Sequence, residues 1–427
     1  MGGGTLQLVA YGKQDETITG NPQITFFKMV YRRHTNFSIE SMKQLFFGDF
    51  EKTGVTNTCK ISKVGDLLGK IWLQVQLPTQ SNTSGTYTNW TNNTGHAFIK
   101  ECDIEIGGTL FDKHHSQWLD IWNELTDHQE KEYIGLNKHK AKHTYLRSKK
   151  NGINDTLNLY IPLHFWFCKN PGLALPLISL QYHDVTLKLI TRSVYGLING
   201  DTLTCSGKKP VVDIYADYYY LDVEERKRFA QSSHEYLLEQ VQQRKVEMQS
   251  AVKIDFTHPI KELIWVIQHV TPSTENITVP SSTTNLDATK NTLTTMDNKN
   301  DYFNYSPITT QDSENYNGMV IYEHFSTCKI QFNNTDRISE RKASYFRMCQ
   351  PLAAKHRMSQ KHIYCYSFAL DPGEQHPTGT CNFSRIDKIE LKFTTDKNLF
   401  QGNISVYALN YNVLRISSGM AGLAYSN

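Results

Sequence analysis

A chain of 427 residues is too long for a single ordinary core, and two domains of about 200 residues each are expected. Lys and Arg number 45 against 42 Asp and Glu, a net charge of +3, which excludes the concentrated basic face that duplex binding needs. No apolar run reaches the roughly 20 residues of a membrane helix and no secretory leader follows Met1, which predicts a soluble chain outside the standard export route.

The opening MGGGTLQLVAYGKQDETITGNPQ is glycine-rich and polar without sustained periodicity, and residues 1–25 are expected to form an arm. Gly2 does not begin a myristoylation signal, because Leu6 stands where that signal wants Ser or Thr. Strand signals begin at Ile24 with ITFFKMVYRR and recur as short alternating runs. Leu73–Leu77, Cys102–Ile106, Val185–Leu189, Val252–Phe256, Cys328–Phe332 and Ile389–Phe393 each place apolar residues at every second position, one face for a core and one for water. Gly107-Gly108 predicts a tight hairpin after the second of these. With 23 Tyr, 20 Phe and many Thr, the composition suits pleated surfaces and predicts an all-β class.

Helix signals are confined to Trp118–Tyr133 and to Glu224–Gln243, the latter broken near Ser232-Ser233. The second follows the aromatic run Tyr215–Leu221, which reads as the last strand of a first domain, so a short helical connector is expected there. The resulting division is an arm at 1–25, a first domain at 26–223 and a second at 224–427. Thr79–Gly95 and Thr271–Gly318, dominated by Thr, Ser and Asn, read as long surface loops. The densest basic run, Lys138–Lys150, reads as another solvated loop. Eight cysteines without a C-x-x-C pair read as reduced thiols, several on buried strand faces.

A duplication organises these signals. Lys60-Ile61, nine residues, then Ile71-Trp72-Leu73 reappears as Lys253-Ile254, nine residues, then Ile264-Trp265-Val266, at an offset of 193. Pro171-Gly172 and Pro176 recur as Pro372-Gly373 and Pro377, each followed by an alternating strand. The period is domain-sized, far longer than a solenoid repeat, so two similar β-domains in tandem are inferred. Short strands with long loops at the ends favour a jelly-roll sandwich. Trp72 and Trp265 would then be equivalent core positions.

Chemistry is sought and not found. Gly65–Ile71 is one residue short of a phosphate loop, and Ile71 stands where a metal-binding hydroxyl belongs. His114-His115 and His139-x3-His143 fall short of the three or four ligands of a zinc site, and lysines surround the second pair. Cys381 with His376, or Ser384 with His376, lacks a strained-turn signature. Paired carboxylates leave no spacing signature, so a carbohydrate-active or carbohydrate-binding protein on tandem sandwiches stays open. N-x-S/T sequons recur, and Asn82, Asn89, Asn92 and Asn276 in the loop segments are the positions where a glycan would be carried, although the missing leader argues against secretory glycosylation. Between Phe368 and Phe393 the Pro-Gly turn reads as a jelly-roll corner, with Arg385 as its candidate contact residue.

The opening GGGTLQLVAYGKQDETITGNPQITFFKMVYRRHTNFSIE, the linker LDVEERKRFAQSSHEYLLEQVQ, the run SFALDPGEQHPTGTCNFSRID and the ending ALNYNVLRISSGMAGLAYSN strongly resemble major capsid proteins of nucleocytoplasmic large DNA viruses, especially those of algal viruses and their giant-virus relatives. The resemblance implies a double jelly roll, two eight-stranded sandwiches. It implies homotrimers forming pseudo-hexagonal capsomers that tile an icosahedral shell, with the two long loops as outward towers. It further implies assembly in the host cytoplasm over an inner membrane, an arm facing minor capsid proteins, and contacts with penton proteins. No catalytic, cofactor or metal residues and no direct nucleic-acid contact are expected.

Overall fold

The computed structural model describes residues 3–10, 12–13, 19–29, 31–50, 54–81, 87–91, 93–126, 149–150, 152–153, 156–200, 209–269, 276–280, 293–297, 302–305, 323–359, 361–395 and 402–425. By their contacts they fall into two units, Met1–Phe37 and Ser38–Asn427. The first unit holds a short helix, α1 (Gly3–Val9). The strand expected from Ile24 is not formed: Phe26, Phe27, Met29 and Tyr31 lie exposed and outside any ladder. Aromatic and β-branched residues favour a strand only where a neighbour supplies pairing and burial.

From Phe37 onward the chain builds two sandwiches with one wiring. The first consists of β1 (Phe37–Gln44), β2 (Thr56–Lys60), β3 (Leu67–Leu77), β4 (Ile99–Ile106), β5 (Thr109–His115), β6 (Leu157–Pro162), β7 (Val185–Thr191) and β8 (Val211–Leu221). The second consists of β9 (His234–Glu247), β10 (Ala251–Ile254), β11 (Pro259–His269), β12 (Thr327–Phe332), β13 (Thr335–Lys342), β14 (Ile363–Ser367), β15 (Ile389–Thr394) and β16 (Gly402–Ser417). The sheets run β1-β8-β3-β6 and β2-β7-β4-β5 in the first, β9-β16-β11-β14 and β10-β15-β12-β13 in the second. Adding eight to each label of the first pair gives the second, so the duplication inferred from the sequence is a duplication of topology. Each sandwich is a jelly roll.

The alternating runs occupy these strands with their apolar faces inward. In β4, Cys102, Ile104 and Ile106 are buried; in β15, Ile389, Leu391 and Phe393 are. Between β4 and β5 both Gly107 and Gly108 take positive φ, 59° and 81°, the mirror-image turn that matches the twist of paired strands and that only glycine adopts freely.

The register corrects the expected repeat in detail. The short strand Leu175–Pro176 pairs with Leu68 and Leu67, and its counterpart Cys381–Asn382 pairs with Ile260 and Pro259. Leu68 therefore stands where Ile260 stands, an offset of 192. Along the same strands Leu73 meets Ile161 and Ile214, while Trp265 meets Tyr364 and Val406, and all six are fully buried. Trp72 and Trp265 are thus not equivalent: Trp72 is half-buried on the outer face of β3, and Trp265 fills the second core. One residue of slip between two strands reverses which face a side chain takes. Pro377 likewise is no counterpart of Pro176, because Pro176 lies in the ladder against Leu67 and Pro377 lies in the turn ahead of it. The Pro-Gly turns themselves do correspond, with Asn170 and Asp371 each accepting backbone hydrogen bonds from the turn.

Helices are few: α2 (Thr94–Phe98), α3 (Ser116–Thr126), α4 (Trp166–Lys169), α5 (Val223–Gln231) and α6 (Gln350–Ala353). The helix expected over Glu224–Gln243 ends at Gln231. The remainder is β9, paired with β16 from His234↔Ile416 to Glu247↔Asn403, a ladder long enough to override the helix-forming residues in it.

Candidate assembly interface

Of the two apolar cores, one lies between the sheets of the second roll, while the other fills the first roll and continues over the outer face of β9-β16-β11-β14. The continuation is a roll-to-roll contact, and α3 is its centre. Ser116, Trp118, Leu119, Asp120, Ile121, Trp122, Asn123 and Leu125 are all buried, a helix covered on both sides rather than along one stripe. Trp118 and Trp122, one turn apart, stack at 5.2 Å between ring centroids. Trp118 lies 5.6 Å from the ring of Tyr407, and Trp122 meets His356 edge-on at 5.9 Å. Ile264, Val266, Ile363, Cys365 and Leu409 complete the apolar floor from the second roll.

Polar pairs pin the helix. Lys361 Nζ donates to both Asp120 oxygens at 2.6 and 2.7 Å, Tyr305 Oη donates to the same carboxylate at 3.1 Å, and Asn93 Nδ2 at 2.8 Å. Burial pushes the Asp120 pKa up, and the Lys361 ammonium opposes that shift. Glu239 on β9 receives both Lys169 from α4 and Lys261 from β11, and burial lowers Lys261 against the pull of that carboxylate. Burial also works against the charged form of His356, yet the Glu262 carboxylate 2.9 Å away outweighs it and raises the pKa. Such charges hold register and orientation, since any slip strands a buried ion.

The long segment expected as a surface loop returns here in part. Phe303 and Tyr305 are buried, and Tyr302 Oη donates to the Gly196 carbonyl at 2.8 Å while its ring lies 4.1 Å from the Arg192 guanidinium. Three aromatics within a Thr- and Asn-rich stretch were the signal for that docking.

The sequence-derived catalytic candidates do not assemble. Ser384 Oγ accepts the His258 amide at 2.8 Å, and burial raises the Cys381 thiol, away from a nucleophile. His114 bonds Asp112 at 2.9 Å and stacks on Phe165, and burial pushes His115 down to about 4. Among the described residues no group of three or more metal-ligating side chains occurs. His139 and His143 lie outside the described residues, as do Asn82 and Asn92; Asn89 and Asn276 lie on short strands, Tyr87–Trp90 and Asn276–Pro280. Gly65–Ile71 is the entry to β3, and Arg385 is exposed at the end of a 3-10 turn.

Two protein families account for nearly the whole chain: residues 25–222 match the major capsid protein N-terminus, and residues 225–422 match the large eukaryotic DNA virus major capsid protein. The chain belongs to the major capsid protein family of large eukaryotic DNA viruses. It is 40% identical to the major capsid protein of Pyramimonas orientalis virus and 36% identical to that of Paramecium bursaria Chlorella virus 1, in each case over all of both chains. Among solved structures, a quasi-atomic model of the PBCV-1 virus capsid matches at a TM-score of 0.75 and 32% identity, covering 94% of this chain and 100% of that one. The Faustovirus major capsid protein shares the fold at a TM-score of 0.67 and 12% identity, covering 95% and 94%. The protein is thus a building block of a virion capsid with a double jelly-roll fold, and the carbohydrate-binding alternative is set aside. In a capsid protein the α3 contact is structural: it fixes one roll on the next.

Proposed function

We propose that three chains close into a pseudo-hexagonal capsomer of six jelly rolls that tiles an icosahedral shell. The observation that carries this reading is the contact between the rolls. It joins the helix-bearing corner of one to the sheet face of the other, two different surfaces, and a head-to-tail contact repeated by rotation builds rings. A duplicated domain lets a threefold ring occupy a hexagonal place. In this reading residues 1–25 are the arm, 26–223 the first roll and 224–427 the second, and the chain has no enzymatic role. Seven free cysteines among the described residues suit assembly in a reducing host cytoplasm. The arm's exposed Phe26, Phe27 and Met29 suit a docking role toward minor capsid or penton proteins above an inner membrane. Glycans, where added, would sit at Asn82, Asn89, Asn92 and Asn276, which intact-mass measurement of virion-derived protein tests. Light scattering coupled to size exclusion, followed by negative-stain imaging, tests the capsomer. Three chains of 49.1 kDa give a particle of about 147 kDa with a hexagonal outline, and a stable monomer overturns the proposal.

A further inference from the structure

β14 stands at the edge of its sheet, paired with β11 from Val266↔Ile363 to Glu262↔Ser367, and the pleat gives its alternate residues two different tasks. Lys361, just ahead of the strand, holds Asp120 on α3, and Ile363 and Cys365 join the apolar floor beneath that helix. His362 and Tyr364 face the other way, and Tyr364 stacks on Trp265 at 6.1 Å in the second core. A short edge strand has few ladder bonds of its own, so whatever grips Tyr364 on one face decides how firmly Lys361 and Ile363 sit on the other.

The grip is a buried polar chain. Tyr364 Oη donates to Glu323 Oε2 at 2.8 Å and lies 3.1 Å from His324 Nδ1. Arg347, in a π-turn at Tyr345–Cys349, brings Nε and Nη2 each to 2.8 Å from Glu323 Oε1. His362 meets the His324 ring edge-on at 5.5 Å, and His324 is buried. A phenol has one proton, and Tyr364 gives it to Glu323, so His324 joins the chain as a neutral ring whose Nδ1–H donates to Tyr364. An incoming proton can enter only at Nε2, and it makes the ring a cation. Glu323 is already matched by Arg347, so the new charge adds to that guanidinium, and His362 adds a third when it titrates. Burial, with His362 alongside, holds the His324 pKa well below 6.5. The unfolded chain therefore takes up a proton that the folded one refuses, and stability that is full above 6.5 is lost as pH falls below it.

We infer that β14 is an acid-sensitive latch between the rolls: a proton taken up at His324 breaks the Tyr364–Glu323 chain on one face of the strand and so frees Lys361 and Ile363 from α3 on the other. The inference goes beyond the capsomer reading and does not depend on it. It makes the seating of one roll on the next a property that acid withdraws. Two other groups at the seam titrate, and each is told apart. His356, raised above 6.5 by Glu262, is charged throughout the window below 6.5 and holds the seam there. Asp120, raised by burial, faces Lys361, Glu124 and Tyr305, and its own protonation would loosen the same contact.

The test is hydrogen–deuterium exchange, read by mass spectrometry on the full chain between about pH 7.5 and about pH 5.5 and corrected for the intrinsic rate. It compares the wild type with His324→Gln, whose amide keeps a donor for Tyr364 but cannot charge. In the wild type, peptides covering β14 and α3 are expected to open together, about tenfold more for each pH unit below 6.5, while β7 stays closed. In His324→Gln both should lose that dependence. His362→Gln, at a half-buried position, is the second variant should the first not fold, and it is expected to reduce the acid opening without abolishing it. Wild-type exchange that is flat across the range overturns the latch. A folded His324→Gln that keeps the full dependence assigns the sensing to Asp120 and overturns it as well. β14 opening while α3 stays closed overturns the coupling between the two faces of the strand, and with it the proposal.

Discussion

Replacing Trp265 by alanine empties the centre of the second core. The indole lies 5.3 Å from the Phe346 ring and 6.1 Å from the Tyr364 ring, and it is fully buried. An aromatic of this size buries about 150–250 Å². At about 25 cal/mol per Å² that corresponds to about 4–6 kcal/mol, an upper figure because the unfolded chain already hides part of that area. Large-to-small truncations of buried Trp cost about 3–5 kcal/mol once partial collapse of the cavity is included. Trp72→Ala, on a half-buried outer face, removes about half the area and none of the core, so about 2–3 kcal/mol is the corresponding upper figure and no cavity loss is added to it. Urea unfolding of the two variants, followed by far-UV circular dichroism so that the lost indole does not alter the signal, gives the comparison. Equal losses at the two positions refute the 192-residue register and restore the simple offset of 193.

Further expectations concern the roll-to-roll contact and the thiols. Lys361→Met leaves the buried Asp120 carboxylate without its cation and is expected to cost about 3–5 kcal/mol, part of which Asp120→Asn in the same chain restores; calorimetry showing the double variant no better than the single one counts against the ion pair. Because the folded His356 pKa is raised from 6.5, its contribution to stability is full below that value and is lost as pH rises through the raised pKa. Melting temperature should fall over that interval, and His356→Gln should flatten the fall; an unchanged profile argues against the Glu262 pairing. Ellman's reagent on the folded, unassembled chain should reach the exposed Cys349 quickly and leave buried Cys59 and Cys168, whose thiols burial pushes up to about 11 and about 12, unreacted until unfolding. Rapid native labelling of either buried thiol contradicts the packing described above.

Much of the fold could be read before any coordinates, because a strand buried on one face announces itself by period two. Leu187-Lys-Leu189 and Leu391-Lys-Phe393 are such strands, and they do stand at equivalent places in the two rolls. Where the reading failed, a nonlocal partner decided the outcome. Ile24–Arg33 has strand-forming residues without a ladder, while His234–Glu247 has helix-forming residues with one. The Trp72–Trp265 pairing failed for a sharper reason: the two copies have shifted by one residue between β10 and β11, and identity of letters does not report parity. The interface was half legible. Trp118 and Trp122 marked a helix with one heavy apolar face, but the second-roll residues that cover it, from Ile264 to Leu409, lie well over a hundred positions away, and Lys361 carries no local sign that it answers Asp120.

The connector α5 carries a consequence for the order of events in shell building. It spans only Val223–Gln231, so the two rolls are held at high effective concentration from the moment both are folded. Half the contacts of a six-roll ring then form without any encounter in solution and are insensitive to dilution. Only the remaining half respond to how much protein the infected cell has accumulated, and only two loss-of-freedom costs, rather than five, stand between separate chains and a closed ring. In the proposed ring, assembly acquires a threshold set by the contacts between chains alone. Substitutions confined to exposed positions between chains can therefore raise or lower that threshold with little effect on the stability of the chain itself.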